Sequence, residues 1–263
     1  WASGNAMNTS RRYVAGMGTQ TAGLFASGYT TTASAAAESY DGSSFTSVPS
    51  LGTARYAASS AGTQTAGLVF GGMIGGLKDE TEEYNGSSWA EQSNLNTARG
   101  EAGGLGIQTA ALMFGGSLPS PTGATEEYDG SSWTTSPNSL NTARRGIIGG
   151  SGTQTAGLAF GGTPPVTGAT ESYNGTAWTA VSPLITARAS LAPAIAGTQT
   201  AALAFGGDTG SVSAATELYD GTSWVTQPSL GTARRMGGGA GTISAAMIAG
   251  GGTPGNTAAS EEF

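Results

Sequence analysis

The stretch TARYAASSAGTQTAGLVFGG, Thr53 to Gly72, followed after a variable segment by TEEYNGSSW, Thr81 to Trp89, recurs in six variants along the 263 residues. Its arginine falls at Arg11, Arg55, Arg99, Arg144, Arg188 and Arg234, and its closing aromatic at Trp1, Phe45, Trp89, Trp133, Trp178 and Trp224. Both series advance by 44 to 46 residues. A period of that length, built from short apolar runs punctuated by glycine, fits one blade of a β-propeller and not the helical pair of a solenoid.

The two ends of the chain complete each other. Ser260-Glu261-Glu262-Phe263 aligns with Thr81-Glu82-Glu83-Tyr84, and Trp1 to Arg11 aligns with Phe45 to Arg55. The register predicts an all-β, six-bladed propeller with four antiparallel strands per blade, its ring closed by a split blade. In that blade an N-terminal strand, Trp1 to Met7, joins the three strands that begin at Gly231. Closure of this kind removes the open edges that a six-sheet array would expose. One domain over residues 1–263 is expected, with blades near 8–51, 52–95, 96–140, 141–184, 185–230, and 231–263 plus 1–7. A chain that opens on Trp1 reads as a processed protein or a piece of a longer one.

Within one copy, small residues after the TAR triplet lead to Gly62-Thr63. A second strand is expected from Thr63 to Phe70, ending in the double glycine Gly71-Gly72, where backbones approach closely or take positive φ. The third strand centres on Thr81 to Tyr84, and Asn85-Gly86 suits a two-residue hairpin turn before the strand starting at Trp89. The same turn signal returns at Asp41-Gly42, Asp129-Gly130, Asn174-Gly175 and Asp220-Gly221.

Composition narrows function. Charged residues make up only 10% and the net charge is −7, so a nucleic-acid partner is not expected, since phosphate neutralisation needs clustered Lys and Arg. No apolar run reaches the length of a membrane span, and no targeting segment is visible. With no Cys and no His, thiolate chemistry, Cys-based zinc sites and the usual acid–base residue near pH 7 are missing. No cofactor, no metal and no catalytic residue are expected.

The double glycine after a strand, the aromatic at Tyr84, the tryptophan five residues later at Trp89 and the TAR turn into the next copy resemble the kelch repeat. The resemblance covers the whole chain, six times. It implies a propeller that binds partners through loops on one face of the disc. The short spacing, near-identical copies and richness in Gly, Ala, Thr and Ser are further similar to the kelch-like proteins of marine tailed bacteriophages, which implies a virion or extracellular setting within a larger virion assembly.

Comparison among the six copies sorts scaffold from site. The repeated arginines and the repeated Glu38, Glu82, Glu126, Glu171, Glu217 and Glu261 suit structural ion pairs, because buried Arg and carboxylate groups require partners; a carboxylate ring binding a cation is the alternative reading. Phe70, Phe114, Phe160 and Phe205 read as inter-blade core. In the first and last blades the same place holds Ala26 and Ala249, so Phe25 and Met247 are expected to repack where those blades meet. Three basic residues directly follow a repeated arginine: Arg12, Arg145 and Arg235, with Tyr56 in the equivalent slot of the second copy. Since successive strands reverse direction, this turn and the variable loop between strands two and three emerge on one face. Arg12, Arg145 and Arg235 are expected to favour carboxylate or phosphate groups, Tyr56 to offer a stacking surface, and Glu101 to join them. Arg12 and Arg235 should lie close together.

These readings favour a noncatalytic module that contacts a surface glycan or a protein partner. A cellular or secreted kelch-like scaffold is the alternative. A sialidase-like enzyme is disfavoured, because Asp129 and Gly130 adjoin where an aspartate box separates them, and because only Glu101 and Asp208 stand outside the repeat as candidate facing carboxylates.

Overall fold

Apolar pairs set between glycines leave room for strands of only two to five residues, and the computed structural model, which describes every residue except Ile148, arranges them as six four-stranded antiparallel sheets in a ring. The second blade is representative. Its strands run Ser59–Gly62, Gly67–Phe70, Thr81–Tyr84 and Trp89–Gln92, each paired with the next in sequence order. The sixth blade takes three strands from Gly238–Thr242, Ala245–Ala249 and Ser260–Glu262, and its outermost strand, Ala2–Gly4, from the other end of the chain. Ala2 pairs with Glu262 and Gly4 with Ser260, so the molecule is a six-bladed β-propeller closed by a split blade. Among the described residues no helix is long and apolar enough to cross a membrane.

Each second strand is buried on both sides because it lies between two neighbouring sheets. Leu68 and Phe70 enter a cluster with Met113 and Trp133 of the third blade, while Val69 between them enters a cluster with Met17 and Leu24 of the first. Six such clusters fill the six blade junctions. Burying one phenylalanine this way contributes about 1.5–3 kcal/mol. At four junctions the arrangement is the same: Phe70, Phe114, Phe160 or Phe205 packs on the tryptophan of the next blade. The indole N–H donates to a threonine hydroxyl, as from Trp133 to Thr81 at 2.9 Å and from Trp1 to Thr216 at 3.0 Å.

The first blade breaks this pattern on both its sides. Towards the sixth blade, where Ala249 replaces phenylalanine, the first blade's own Phe25 fills the place and packs on Phe45 of the same blade at 5.6 Å, in one cluster with Met7, Val14 and Met247. Towards the second blade, Ala26 and Ala37 replace both the phenylalanine and the threonine, and Trp89 donates instead to the Pro49 carbonyl at 2.9 Å.

Every repeated arginine is buried and paired with the repeated glutamate of its own blade. Arg55 lies 2.9 Å from Glu82, whose other oxygen accepts from the Gly52 N–H at 2.6 Å. Arg11 donates to the Ser27 and Phe25 carbonyls as well as to Glu38. The pair thus ties the connection entering a blade to its second and third strands, and the six carboxylates are consumed by guanidinium and backbone N–H groups rather than aimed at the ring axis. Burial pulls the Arg11 guanidinium down to about 10, which leaves it charged at neutral pH.

A second stitch uses glutamine. Gln64 donates to the Gly23 and Tyr40 carbonyls of the preceding blade, and Gln20, Gln108, Gln154 and Gln199 do the same in theirs. This reach requires Thr63 to Ala66 to form a turn, with Thr63 N–H donating to the Ala66 carbonyl at 2.9 Å. The second strand therefore starts at Gly67, not at Thr63. The turn after Tyr84 likewise spans four residues rather than two, because Asn85 Oδ1 accepts from the N–H groups of both Ser87 and Ser88.

Candidate functional site

The double glycine fixes one face of the disc. Gly71 and Gly72 take φ of +65° and +107°, and a Cβ on Gly72 would stand 2.9 Å from the Tyr56 carbonyl. Only glycine lets the loop between strands two and three run this close to the turn that follows the repeated arginine. Tyr56 pairs with Met73 across the gap, as do Arg12 with Tyr29, Gly100 with Ser117, Arg145 with Thr163, Ala189 with Asp208 and Arg235 with Gly252. The variable loops and the residues after the repeated arginines therefore share one face.

One residue further along, the chain turns through the left-handed region in every blade: at Tyr13, Ala57, Glu101, Gly146, Ser190 and Met236. Backbone hydrogen bonds link these residues around the axis, from Tyr13 N–H to the Met236 carbonyl, Met236 to Ser190, Ser190 to Gly146, Gly146 to Glu101 and Glu101 to Ala57. The circle lacks a bond of this kind only between Ala57 and Tyr13, among the described residues.

Below this rim the axis is nearly solid. A cavity lined by Val14, Gly16, Ser60, Gly149, Pro193 and Gly239 offers about 10 Å³, room for roughly one water. Two causes combine. The innermost strands are rich in Gly, Ala and Ser and pack backbone to backbone; a Cβ on Gly16 would stand 2.6 Å from the Gly239 carbonyl. The fifth blade also carries ten residues from Arg188 through Gly197, against eight from Arg55 through Gly62, and the surplus brings Pro193 and Ile195 to the axis. A ligand of any size must therefore bind at a face. On the opposite face a groove of about 300 Å³ between the fourth and fifth blades is lined by Gly152, Thr153, Ala156, Gly197, Thr198 and Gln199, with no charge in it.

The loop face holds the sequence-expected residues in three groups. Arg145 lies 3.6 Å from Glu101, and Arg235 is hydrogen bonded to Asp208, so two of the three extra arginines already have a carboxylate. Arg12 has none and instead lies over the Tyr29 ring, 5.1 Å from its centroid. Tyr56 packs between Tyr29 at 5.2 Å and Tyr13 at 5.7 Å. Arg12 and Arg235 meet at the sixth-blade loop: Arg235 pairs with Gly252, and a Cβ on that glycine would touch Arg12 Cδ at 3.8 Å. Burial raises the Tyr13 phenol above its ordinary value; the field of Glu101 adds to the rise, while Arg12 and Arg235 oppose it. The Tyr13 ring therefore sits within electrostatic reach of both sides of the rim.

Tyr13 and Tyr29 were not legible as site residues from the repeat alone. The position of Tyr13 holds a different residue in every blade, which is a usable signal. Tyr29 directly follows the glycine after the second strand, and its equivalents Met73, Ser117, Thr163, Asp208 and Gly252 likewise differ in every blade.

No protein-family model matches the chain, and no curated protein matches it.

Proposed function

We propose that the chain is a noncatalytic recognition module of kelch-like construction, carried on a phage virion as part of a tail fibre or capsid surface. Its loop face would contact a host-surface glycan or another virion protein. One observation carries the reading: blade-to-blade variation gathers on this face as half-buried Arg12, Tyr13, Tyr29 and Tyr56, while the repeated polar residues are spent on holding the ring. Aromatic rings beside a guanidinium give amphipathic contact area at low entropic cost, as recognition surfaces require.

The lack of His and Cys and the engagement of Glu101 and Asp208 with two different arginines support a binding role over glycoside hydrolysis, which needs two free carboxylates facing one bond. An array of bacterial surface polysaccharides, lipopolysaccharides and other glycans, probed with the purified chain, tests the reading. Saturable binding that a Tyr29→Ala/Tyr56→Ala variant loses is the expected result. Binding by both proteins alike would overturn the assignment of the loop face, and binding by neither would overturn glycan contact in favour of a virion-protein partner.

A further inference from the structure

Nine of the ten basic side chains are committed to a carboxylate. Six are the repeated arginines; Lys78 holds Glu80 at 3.0 Å, Arg145 holds Glu101 and Arg235 holds Asp208. Among the described residues Arg12 is the exception. Its side chain makes no hydrogen bond to the protein, and its Nε is buried with no partner. In a chain of net charge −7, an arginine held at the rim without an acid is, among the described residues, the one basic side chain left for an outside anion.

Its surroundings define what that anion belongs to. Tyr29 lies against one side of the guanidinium, which fixes its plane and leaves the terminal N–H groups as a fork suited to two parallel bonds to a carboxylate. Next to it stand the edges and faces of Tyr29, Tyr56 and Tyr13, at interplanar angles of 53° and 73°. The apolar C–H face of a pyranose packs on such rings while its hydroxyls stay in water. The axis beneath the site leaves only about 10 Å³, which favours a ring lying flat on the tyrosines over a side chain inserted between the blades. Arg235 beside it and Arg145 across the ring are each paired with a carboxylate, so the site provides for one negative charge.

We propose that Arg12, with Tyr13, Tyr29 and Tyr56, forms a subsite for a single carboxylate-bearing sugar residue within a surface glycan. The assignment rests on the recognition reading above and narrows it. The carboxylate sits on the Arg12 fork, the sugar ring stacks on the tyrosines, and Arg145 and Arg235 take no direct part.

The test measures binding of the purified chain to oligogalacturonate and to sialyllactose, each against its methyl ester, and to lactose. An acidic peptide of matched charge serves as a fourth probe. The proposal expects one or both acids to bind, their methyl esters to bind roughly 10- to 100-fold more weakly, and Arg12→Ala to lose the same factor at an unchanged melting temperature. Arg12→Lys should recover little of it, and an Arg145→Ala/Arg235→Ala variant should bind within about twofold of the parent. Equal binding of acid and ester, or undiminished binding by Arg12→Ala, overturns the subsite while leaving glycan recognition standing. Binding of the peptide but of no saccharide, or no binding of any probe, overturns the subsite; if the polysaccharide array is also silent, the glycan reading falls with it.

Discussion

At the scale of single residues, the chain treats identical chemistry in opposite ways according to place. Arg11 and Arg12 are neighbours, yet the first is buried against Glu38 and three carbonyls while the second stands at the rim with no acid. Glu82→Gln should therefore cost roughly 3–5 kcal/mol in urea unfolding, since it strands the Arg55 guanidinium in the interior. The turn carboxylates Asp41, Asp129 and Asp220 are drawn down to about 2 by hydrogen bonds from the hydroxyl two residues on and from the N–H groups two and three residues on. A carboxyl group held below its unfolded value stabilises the fold above that value and loses the contribution as pH falls through the folded one. Stability should accordingly decline from about pH 4 to pH 2, and a variant with all three changed to Asn, as Asn85 and Asn174 already are, should decline less. Tyr40, buried and bonded to Glu262, is pushed up to about 12. The sign is then reversed: its contribution is intact below pH 10 and is lost as pH rises towards 12, which alkaline unfolding with Tyr40→Phe as control would measure.

At the scale of the element, the strand is too short to be stable alone, and the junction between blades is the unit that counts. Trp133 and Trp89 occupy the same repeat position, but Trp133 is buried against Phe70 and Thr81 while Trp89 lacks both partners. Trp133→Phe should cost about 1–2 kcal/mol more than Trp89→Phe, because it alone leaves a buried threonine hydroxyl unsatisfied. The third strands and the start of the fourth were legible in the sequence, since Thr81 to Tyr84 and Trp89 recur in fixed register. The starts of the second strands were not. Thr63 to Ala66 alternates as a strand would, yet its Gln64 is required across the blade boundary, and a contact between blades leaves no trace in local periodicity. The four-residue turn at Asn85 escaped for a similar reason, since the side-chain acceptor that widens it is invisible to a rule based on the Asn-Gly pair.

At the scale of the whole molecule, closure and the sealed axis decide what the ring can do. Closure was legible because the two ends of the repeat complement each other in register. The sealing of the axis was not, for it depends on extra residues that bring Pro193 inward and on glycines spaced across different blades. Deleting Trp1 to Met7 removes Trp1 from Phe205 and Met7 from the closing cluster, and should cost about 3–6 kcal/mol at about 1.5–3 kcal/mol for each of the two side chains. A peptide of residues 1–11 added in trans should restore part of the loss in a thermal melt. The same division of labour accounts for the candidate site: what repeats is bound up in the ring, and what departs from the repeat is displayed on the loop face. Unfolding and saccharide binding of Arg11→Ala and Arg12→Ala, measured side by side, test that division most directly. The account predicts that Arg11→Ala loses several kcal/mol of stability or fails to fold, while Arg12→Ala melts with the parent and loses binding to acidic sugar. A stable Arg11→Ala, or an Arg12→Ala that binds as the parent does, would contradict it.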